Sequence, residues 1–334
     1  GRSSEHSISC ATARGVLQAI DTNRYDVVPI GITKDGAFTL ASADPDDYVL
    51  RPGQLPEVED NGTRIIWPES AGSSELWVSG DGADRSLGHV DVVFPILHGP
   101  FGEDGTIQGM LELFGLPYVG SGVLASSLGM DKHFTKTVLQ AAGIEVAPWR
   151  TIKRYDWHKR PQAIRAMAEQ MPLPVFIKPA RAGSSVGVGK VSNWDQFAAA
   201  MDVAFLEDDH VLIEAGISGR EVECAALSSR SHGVKISVAG EIVVTGREFY
   251  DFDAKYQDED SVQLIIPADL KPEQLEQMQA IAKQAFNALG CEGLARADFF
   301  LTKDGFLINE INTMPGFTPL SMFPSLWQAS GIAY

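Results

Sequence analysis

Four polar side chains near the end of the chain carry the clearest chemistry. Arg296, Asp298, Glu310 and Asn312 lie in two largely apolar stretches, 294–301 and 306–312, separated by Thr302, Lys303, Asp304 and Gly305. A hairpin with the three-residue loop 303–305 and Gly305 in the left-handed position is a common connection. It pairs Thr302 with Phe306, Phe300 with Ile308, Asp298 with Glu310 and Arg296 with Asn312. Directly opposed residues of an antiparallel pair point to one face, so the four polar groups share a face. Two carboxylates and an amide oxygen are hard ligands suited to Mg²⁺, which completes its shell with phosphates. A guanidinium beside them suits an anionic transition state. The competing reading is a solvated strand face with a cross-strand charge pattern. The apolar residues Ala297, Phe299, Leu307 and Ile311 supply a buried floor and favour the metal. A two-residue turn would shift the register by one and break the alignment.

Residues 181–185, Arg-Ala-Gly-Ser-Ser, form a second candidate. They are not a Walker A loop: five residues separate Gly183 from Gly189 where the motif has four, and Val191 follows Lys190 where Ser or Thr is needed. A small-residue hairpin loop after Lys178 can fold over phosphates with its amides and hydroxyls. Taken alone, it reads as an ordinary flexible connection. Residues 1–5 and 98–105 are glycine-containing loops at expected strand ends, where ligands bind in parallel α/β sheets. His98 by itself reads as a structural loop histidine.

The elements that must position these groups alternate between helix and strand, the pattern of an α/β protein. Residues 91–97 read as a buried parallel strand. Thr106–Phe114 reads as a helix with Ile107, Met110, Leu111 and Phe114 on one face. Residues 116–120 make a short strand. A helix over 132–142 is capped by Gly143. Val175–Pro179 is a strand with 185–191 as its returning partner, and 211–214 is another strand. A helix over 272–289 is stopped by Gly290. The breaks divide the chain into blocks 1–120, 121–214 and 215–334.

Composition bounds the function. The chain has 334 residues, 44% of them hydrophobic and 21% charged, enough for a folded protein of two or three domains at roughly 100–200 residues each. The 27 Lys and Arg against 44 Asp and Glu give a net charge of −17, which argues against a nucleic-acid or anionic-membrane surface. It leaves room for phosphates in a cleft. Cys10, Cys224 and Cys291 match neither a zinc site nor a disulfide framework, so a reduced cytoplasm is expected. No apolar stretch approaches the ~18 residues of a membrane span. The chain opens within a polar stretch, so a preceding strand is expected.

Lys178 before the Gly183-Ser184-Ser185 loop, Glu214 at a strand end, Arg296-Ala297-Asp298, and Glu-Ile-Asn-Thr-Met-Pro-Gly at 310–316 together resemble the ATP-grasp ligases. Within that superfamily, Gly-Arg-Ser-Ser-Glu-His at 1–6, His-Gly-Pro-Phe-Gly-Glu-Asp-Gly at 98–105, Gly-Met-Asp-Lys at 129–132 and Phe-Tyr-Asp-Phe-Asp-Ala-Lys-Tyr at 249–256 are similar to the D-alanine–D-alanine ligase family. The resemblance covers nearly the whole chain, and its specificity lies in the order and spacing of the motifs. It implies an ATP-grasp fold of three α/β domains, with an amino-terminal parallel-sheet domain and ATP held between the central and carboxy-terminal domains.

The resemblance also implies roles. Lys132 and Lys178 would hold ATP phosphates, with Ser185 also at the nucleotide. Residues 214–217, including Glu214, Ala215 and Ile217, would contact adenine, and Glu221 the ribose. Asp298, Glu310 and Asn312 would hold two Mg²⁺ ions, for which Mn²⁺ can substitute. Glu5 would anchor the amino group of the first D-alanine, with His98 close by. Arg296 and the amide of Gly316 would form the oxyanion site. Ser321 and Met322 would receive the carboxylate of the second D-alanine. Ser184 and Tyr256 would bond with Glu5 and close a lid, and Lys255 would reach the γ-phosphate.

The expected reaction is ATP-dependent joining of two D-alanines through an acyl phosphate, for peptidoglycan precursors. A cytoplasmic homodimer is expected, with no nucleic-acid or membrane partner. Three departures stand out: one Gly remains of an initial Gly-Gly, the chain stops at Tyr334 before a further helix, and Ala215-Gly216 replaces the usual Lys and aromatic residue. The alternatives are a D-alanine–D-lactate ligase, against which Tyr256 counts, another carboxylate–amine ligase of the superfamily, or a nucleotide-binding regulatory protein. Loss of Arg296 or of a metal carboxylate would favour the last, and none is lost.

Overall fold

The computed structural model describes residues 1–244 and 262–334, apart from Pro52, Gln54 and Asp81. The expected lid residues Lys255 and Tyr256, with the rest of 249–256, lie outside the described residues.

The amino-terminal region begins with α1 (His6–Ala19) and two small antiparallel sheets. One pairs β1 (Ile30–Ile32) with β2 (Phe38–Leu40), and the other joins β3 (Arg64–Ile66), β4 (Glu75–Ser79) and β5 (Arg85–His89). Helix α2 (Thr106–Phe114) spans the expected residues and buries Ile107 and Leu111. Gly115 follows it at φ 69°, a left-handed cap. The strand expected at 91–97 is reduced to a single parallel bridge between Val93 and Tyr118. Two prolines explain this: Pro95 and Pro117 have no N–H to extend a ladder. Beyond Phe94 the chain turns back on itself, with Ile96 N–H donating to Phe94 O.

Helices α3 (Val123–Met130) and α4 (Lys132–Ala141) follow, the second capped by Asp131, whose carboxylate accepts from the amides of His133 and Phe134. The next unit is a four-stranded antiparallel sheet of β6 (Trp149–Lys153), β7 (Val175–Pro179), β8 (Gly189–Val191) and β9 (His210–Ala215), in the order β6-β9-β7-β8. Helices α5 (Arg154–Lys159) and α6 (Pro161–Ala168) lie between β6 and β7 in the chain. Helix α7 (Phe197–Glu207) packs Phe197, Met201 and Phe205 against Ile177, Val191 and Ile213.

The last unit is a five-stranded antiparallel sheet. Its strands are β10 (Arg220–Ser229), β11 (Gly233–Val244), β12 (Val262–Ile265), β13 (Leu294–Thr302) and β14 (Gly305–Asn312), in the order β12-β11-β10-β13-β14. Helix α8 (Pro272–Ala288) buries Met278, Ala282, Ala285 and Phe286, as its 3.6-residue period predicts. Helix α9 (Met322–Ala329) closes the described chain.

The β13–β14 hairpin corrects the sequence reading in an instructive way. The turn has two residues, Lys303 and Asp304, so Thr302 pairs with Gly305, Phe300 with Leu307 and Phe299 with Ile308. Thr302 does not face Phe306, and Phe300 does not face Ile308. The register then shifts between Asp298 and Phe299, where Asn309 is the extra residue on β14. A bulge places two residues opposite one and restores the faces beyond it. Asp298 therefore pairs with Glu310, and Arg296 with Asn312, as expected.

The segment 121–214, expected as one block, divides its packing between two cores. Ala125, Leu139, Ile144 and Val146 are buried with Val222, Phe286, Phe299 and Ile308, in the core of the five-stranded sheet. The apolar face of α4 finds its nearest hydrophobic surface there. Leu139 is fully buried, whereas Leu124 is 70% exposed. Leu139→Ala is expected to cost about 2–5 kcal/mol, the usual range for a buried Leu truncation. Leu124→Ala is expected to change stability by less than about 0.5 kcal/mol. Denaturant unfolding followed by tryptophan fluorescence checks the pair; equal effects would contradict this core assignment.

Candidate active site

Pairing across three strands puts carboxylates in one row. Glu223 on β10 faces Asp298 on β13, which faces Glu310 on β14. Like charges directly opposed on a sheet repel, and Arg296, one pleat away, offsets them. Its Nε and Nη2 each lie 2.7 Å from an oxygen of Asp298, a bidentate pair, and Nε lies 2.7 Å from Glu223 Oε2. Asn312 Nδ2 donates to Asp298 Oδ2 at 3.0 Å. Burial opposes the charge on Arg296, but Asp298 and Glu223 outweigh it and hold the guanidinium protonated well above its ordinary range. Among the described residues no three His, Cys, Asp or Glu side chains form a closed metal cage. The donor set suits Mg²⁺ in its other mode, in which one or two carboxylates are supplemented by phosphates and water. Glu223 was not read from the sequence; only the β10 pairing brings it here.

A second charged group lies in the neighbouring sheet. Lys178 Nζ on β7 donates to Glu214 Oε1 on β9 at 2.6 Å, and Lys136 Nζ on α4 lies 2.8 Å from Glu214 Oε2. Burial would raise the Glu214 carboxyl, but the two ammonium charges overcome it and bring it down to about 2. Burial lowers the Lys136 ammonium from its ordinary range despite Glu214. Sequence reasoning missed Lys136. Its placement one helical turn beyond Lys132, on the same side of α4, was the available signal. After Glu214 the chain runs through Ala215, Gly216 and Ile217 towards β10. A Cβ on Gly216 would meet Pro174 O at 2.6 Å, so a larger residue at this hinge position would have to displace the backbone. Glu221 lies on β10, two residues before Glu223.

The loop after β7 reaches the amino-terminal region. Ser184 Oγ donates to Glu5 Oε1, a contact between residues 179 positions apart. Ser184 and Ser185 hold φ values of 48° and 59°, a left-handed conformation that non-glycine residues adopt at some cost. Glycines surround the carboxylate: a Cβ on Gly183 or Gly99 would approach Glu5 Oε2 to 2.5 Å. Lys132 donates from Nζ to Ala182 O at 2.7 Å and from its amide to Ala180 O at 3.0 Å, tying α4 to the loop.

His98 is buried beside Glu5. Its Nε2 lies 2.9 Å from Thr12 Oγ1, and its Nδ1 lies 3.2 Å from both Glu103 Oε1 and Met314 O. Burial disfavours the imidazolium, but Glu103 and Glu5 outweigh it and raise His98 above its ordinary value. The Met314 contact links this cluster to the segment ending at Gly316. Ser321 is the cap residue of α9, and its hydroxyl accepts from Thr318 N–H at 3.1 Å. Met322 follows with its side chain buried, its sulfur against Gly240, so only its backbone amide is available to a ligand. The structure thus gathers Glu5, His98, Lys132 and Ser184 at one locus, Lys178 and Glu214 at a second, and Arg296, Asp298 and Asn312 at a third. Lys255 and Tyr256 lie outside the described residues.

Comparison with known proteins places the chain in a family. Residues 1–121 match the family model for the D-ala D-ala ligase N-terminus, and residues 138–334 match the model for the D-ala D-ala ligase C-terminus. The D-alanine--D-alanine ligase of Arthrobacter sp. (strain FB24) is 51% identical over 339 residues, spanning 100% of this chain and 89% of the relative. That of Mycobacterium sp. (strain KMS) is 48% identical, spanning 100% and 91%. Among solved structures, a D-Ala:D-Ser ligase from Enterococcus faecalis superposes with a TM-score of 0.85 at 34% identity, covering 100% of this chain and 93% of that one. The D-alanine-D-alanine ligase from Coxiella burnetii gives 0.81 at 34% identity, covering 100% and 88%. With family models matching most of its length and full-length relatives at about half identity, the chain belongs to the D-alanine–D-alanine ligase family of ATP-grasp enzymes.

Proposed function

We propose that the protein joins two molecules of D-alanine into D-alanyl-D-alanine at the expense of ATP, for peptidoglycan precursor synthesis in the cytoplasm, as a homodimer. The observation that carries this reading is the carboxylate row, buried at Glu223 and Asp298 and half-buried at Glu310, with Arg296 beside it, a site that can neutralise a polyphosphate and then an oxyanion. A carboxylate is a poor electrophile towards an amine. One carboxylate oxygen of the first D-alanine attacks the γ-phosphorus, and the bond from that phosphorus to ADP breaks. The free amine of the second D-alanine then attacks the acyl carbon. A C–N bond forms, a proton is lost, and the C–O bond to phosphate breaks.

The chain's own groups supply charge and position, which phosphoryl transfer mainly requires. Glu5 takes the ammonium of the first D-alanine, with His98 behind it. Lys132, Lys178 and Ser185 lie along the phosphates, residues 214–217 along adenine, and Glu221 at the ribose. Asp298, Glu310 and Asn312 would hold Mg²⁺, or Mn²⁺ in its place, which would supply positive charge against the triphosphate. Arg296 and the Gly316 N–H face the oxygen that gains charge when the amine attacks. Ser321 and the Met322 amide open α9 and suit the carboxylate of the second D-alanine, because the first amides of a helix lack partners within it. Ser184 bonded to Glu5 keeps the loop over the acyl phosphate and excludes water. Lys255 and Tyr256 complete the lid as the family resemblance implies.

Phosphate release from ATP is expected to depend on D-alanine. A panel of D-alanine, L-alanine, D-serine and D-lactate, with Mg²⁺ and product analysis by mass, tests this. Equal release with L-alanine, or none with any, would overturn the assignment, and D-alanyl-D-serine as the main product would redirect it. Asp298→Asn and Glu310→Gln are each expected to lower kcat by about a hundredfold to a thousandfold, the scale of losing one fixed charge contact in a transition state. Circular dichroism is expected to be unchanged; near-normal rates at millimolar Mg²⁺ would remove these carboxylates from the metal site. Glu5→Gln is expected to raise the KM for the first D-alanine about tenfold, because a charge-assisted bond becomes a neutral one. A change confined to the KM for ATP would contradict the role.

A further inference from the structure

Lys136 is unusual among the lysines. Its side chain is 1% exposed, against 14% for Lys178, and its Nζ lies 2.8 Å from Glu214 Oε2. The Trp149 ring lies 5.9 Å away on another side. An ammonium buried this fully persists only with a countercharge. Glu214 supplies it, yet Glu214 already has Lys178 as a partner. A buried and a half-buried ammonium share this one carboxylate, with Glu310 as a further anion acting on Lys136. Burial and the Lys178 charge both act against the Lys136 ammonium.

Sharing one carboxylate between two lysines has a use if one of them must leave. Lys178 is the more exposed of the two, and the reading above places it on a phosphate of ATP. If it moved there alone, Glu214 would be left as a buried anion beside a polyanionic ligand. Removing one partner of a buried pair leaves an uncompensated charge and is strongly unfavourable. Lys136 prevents this. It is borne on α4, not on the sheet that carries Lys178 and Glu214, so it keeps its place when Lys178 turns.

We propose that Lys136 is a positioning residue for the nucleotide: it holds Glu214 charged and in place, and thereby frees Lys178 to engage phosphate. The inference rests on the ATP-dependent reading above. The test is a double-mutant cycle on the binding of Mg²⁺·adenylyl-imidodiphosphate, measured by titration calorimetry on the full chain. Lys136→Met is expected to weaken binding at least tenfold in the wild-type background. In the Glu214→Gln background the same change is expected to cost less than threefold, because there is no longer an anion to compensate. Equal losses in both backgrounds would overturn the proposal and place Lys136 on the phosphates directly or in a packing role. No loss in either would also overturn it. If Lys136→Met does not fold, Lys136→Arg decides: it keeps the charge and is expected to bind within threefold of wild type, and a tenfold loss would count against the proposal. Wild-type protein that binds no nucleotide would refute the ATP reading itself, an outcome distinct from any pattern among the variants.

Discussion

The repulsion among three carboxylates on one row of a sheet is the constraint around which the site is organised. Glu223, Asp298 and Glu310 come from three strands, and the register of two strand pairs must be held to line them up. Without Arg296 the buried members, Glu223 and Asp298, would be uncompensated charges. With it, the charges are partly offset, and the remaining negative charge gives a divalent cation reason to bind. The five-stranded sheet, the core beneath it and the bulge in β14 all serve to keep this row in register.

Much of this was legible in the sequence, and particular residues show why the rest was not. The helices α2 and α8 follow from apolar spacing, and Gly143 and Gly290 mark the ends of α4 and α8. The alignment of Asp298 with Glu310 was anticipated, but through a three-residue loop that does not form. The true turn is one residue shorter, and Asn309 puts the missing residue back as a bulge. Two errors of opposite sign cancelled at the site and remained in the residues near the turn. The parallel strand at 91–97 failed because periodicity says nothing about the missing N–H groups of Pro95 and Pro117. Glu223 and Lys136 were missed for a different reason. Each has other charged residues nearby in its own element, and only pairing between distant elements shows which of them faces the site.

The amino-terminal region shows the reverse dependence, in which absent side chains matter most. The Glu5 carboxylate sits between Gly99 and Gly183, where any Cβ would collide with it. Ser184 can reach it only from a left-handed backbone. The sequence reading took these glycines as generic loop residues. Their packing makes them the walls of the cavity that holds Glu5.

The placement of α4 bears on how the two sheets can separate. Leu139 anchors that helix to the five-stranded core, while Lys136 on the same helix reaches across to Glu214 on the four-stranded sheet. Lys132 crosses at the helix start, through the Ala180 and Ala182 carbonyls. The buried ion pair therefore works as a tether between the jaws of the cleft. Prising them apart at this point would separate a buried pair of opposite charges, so the stiffness between the sheets is electrostatic as well as steric.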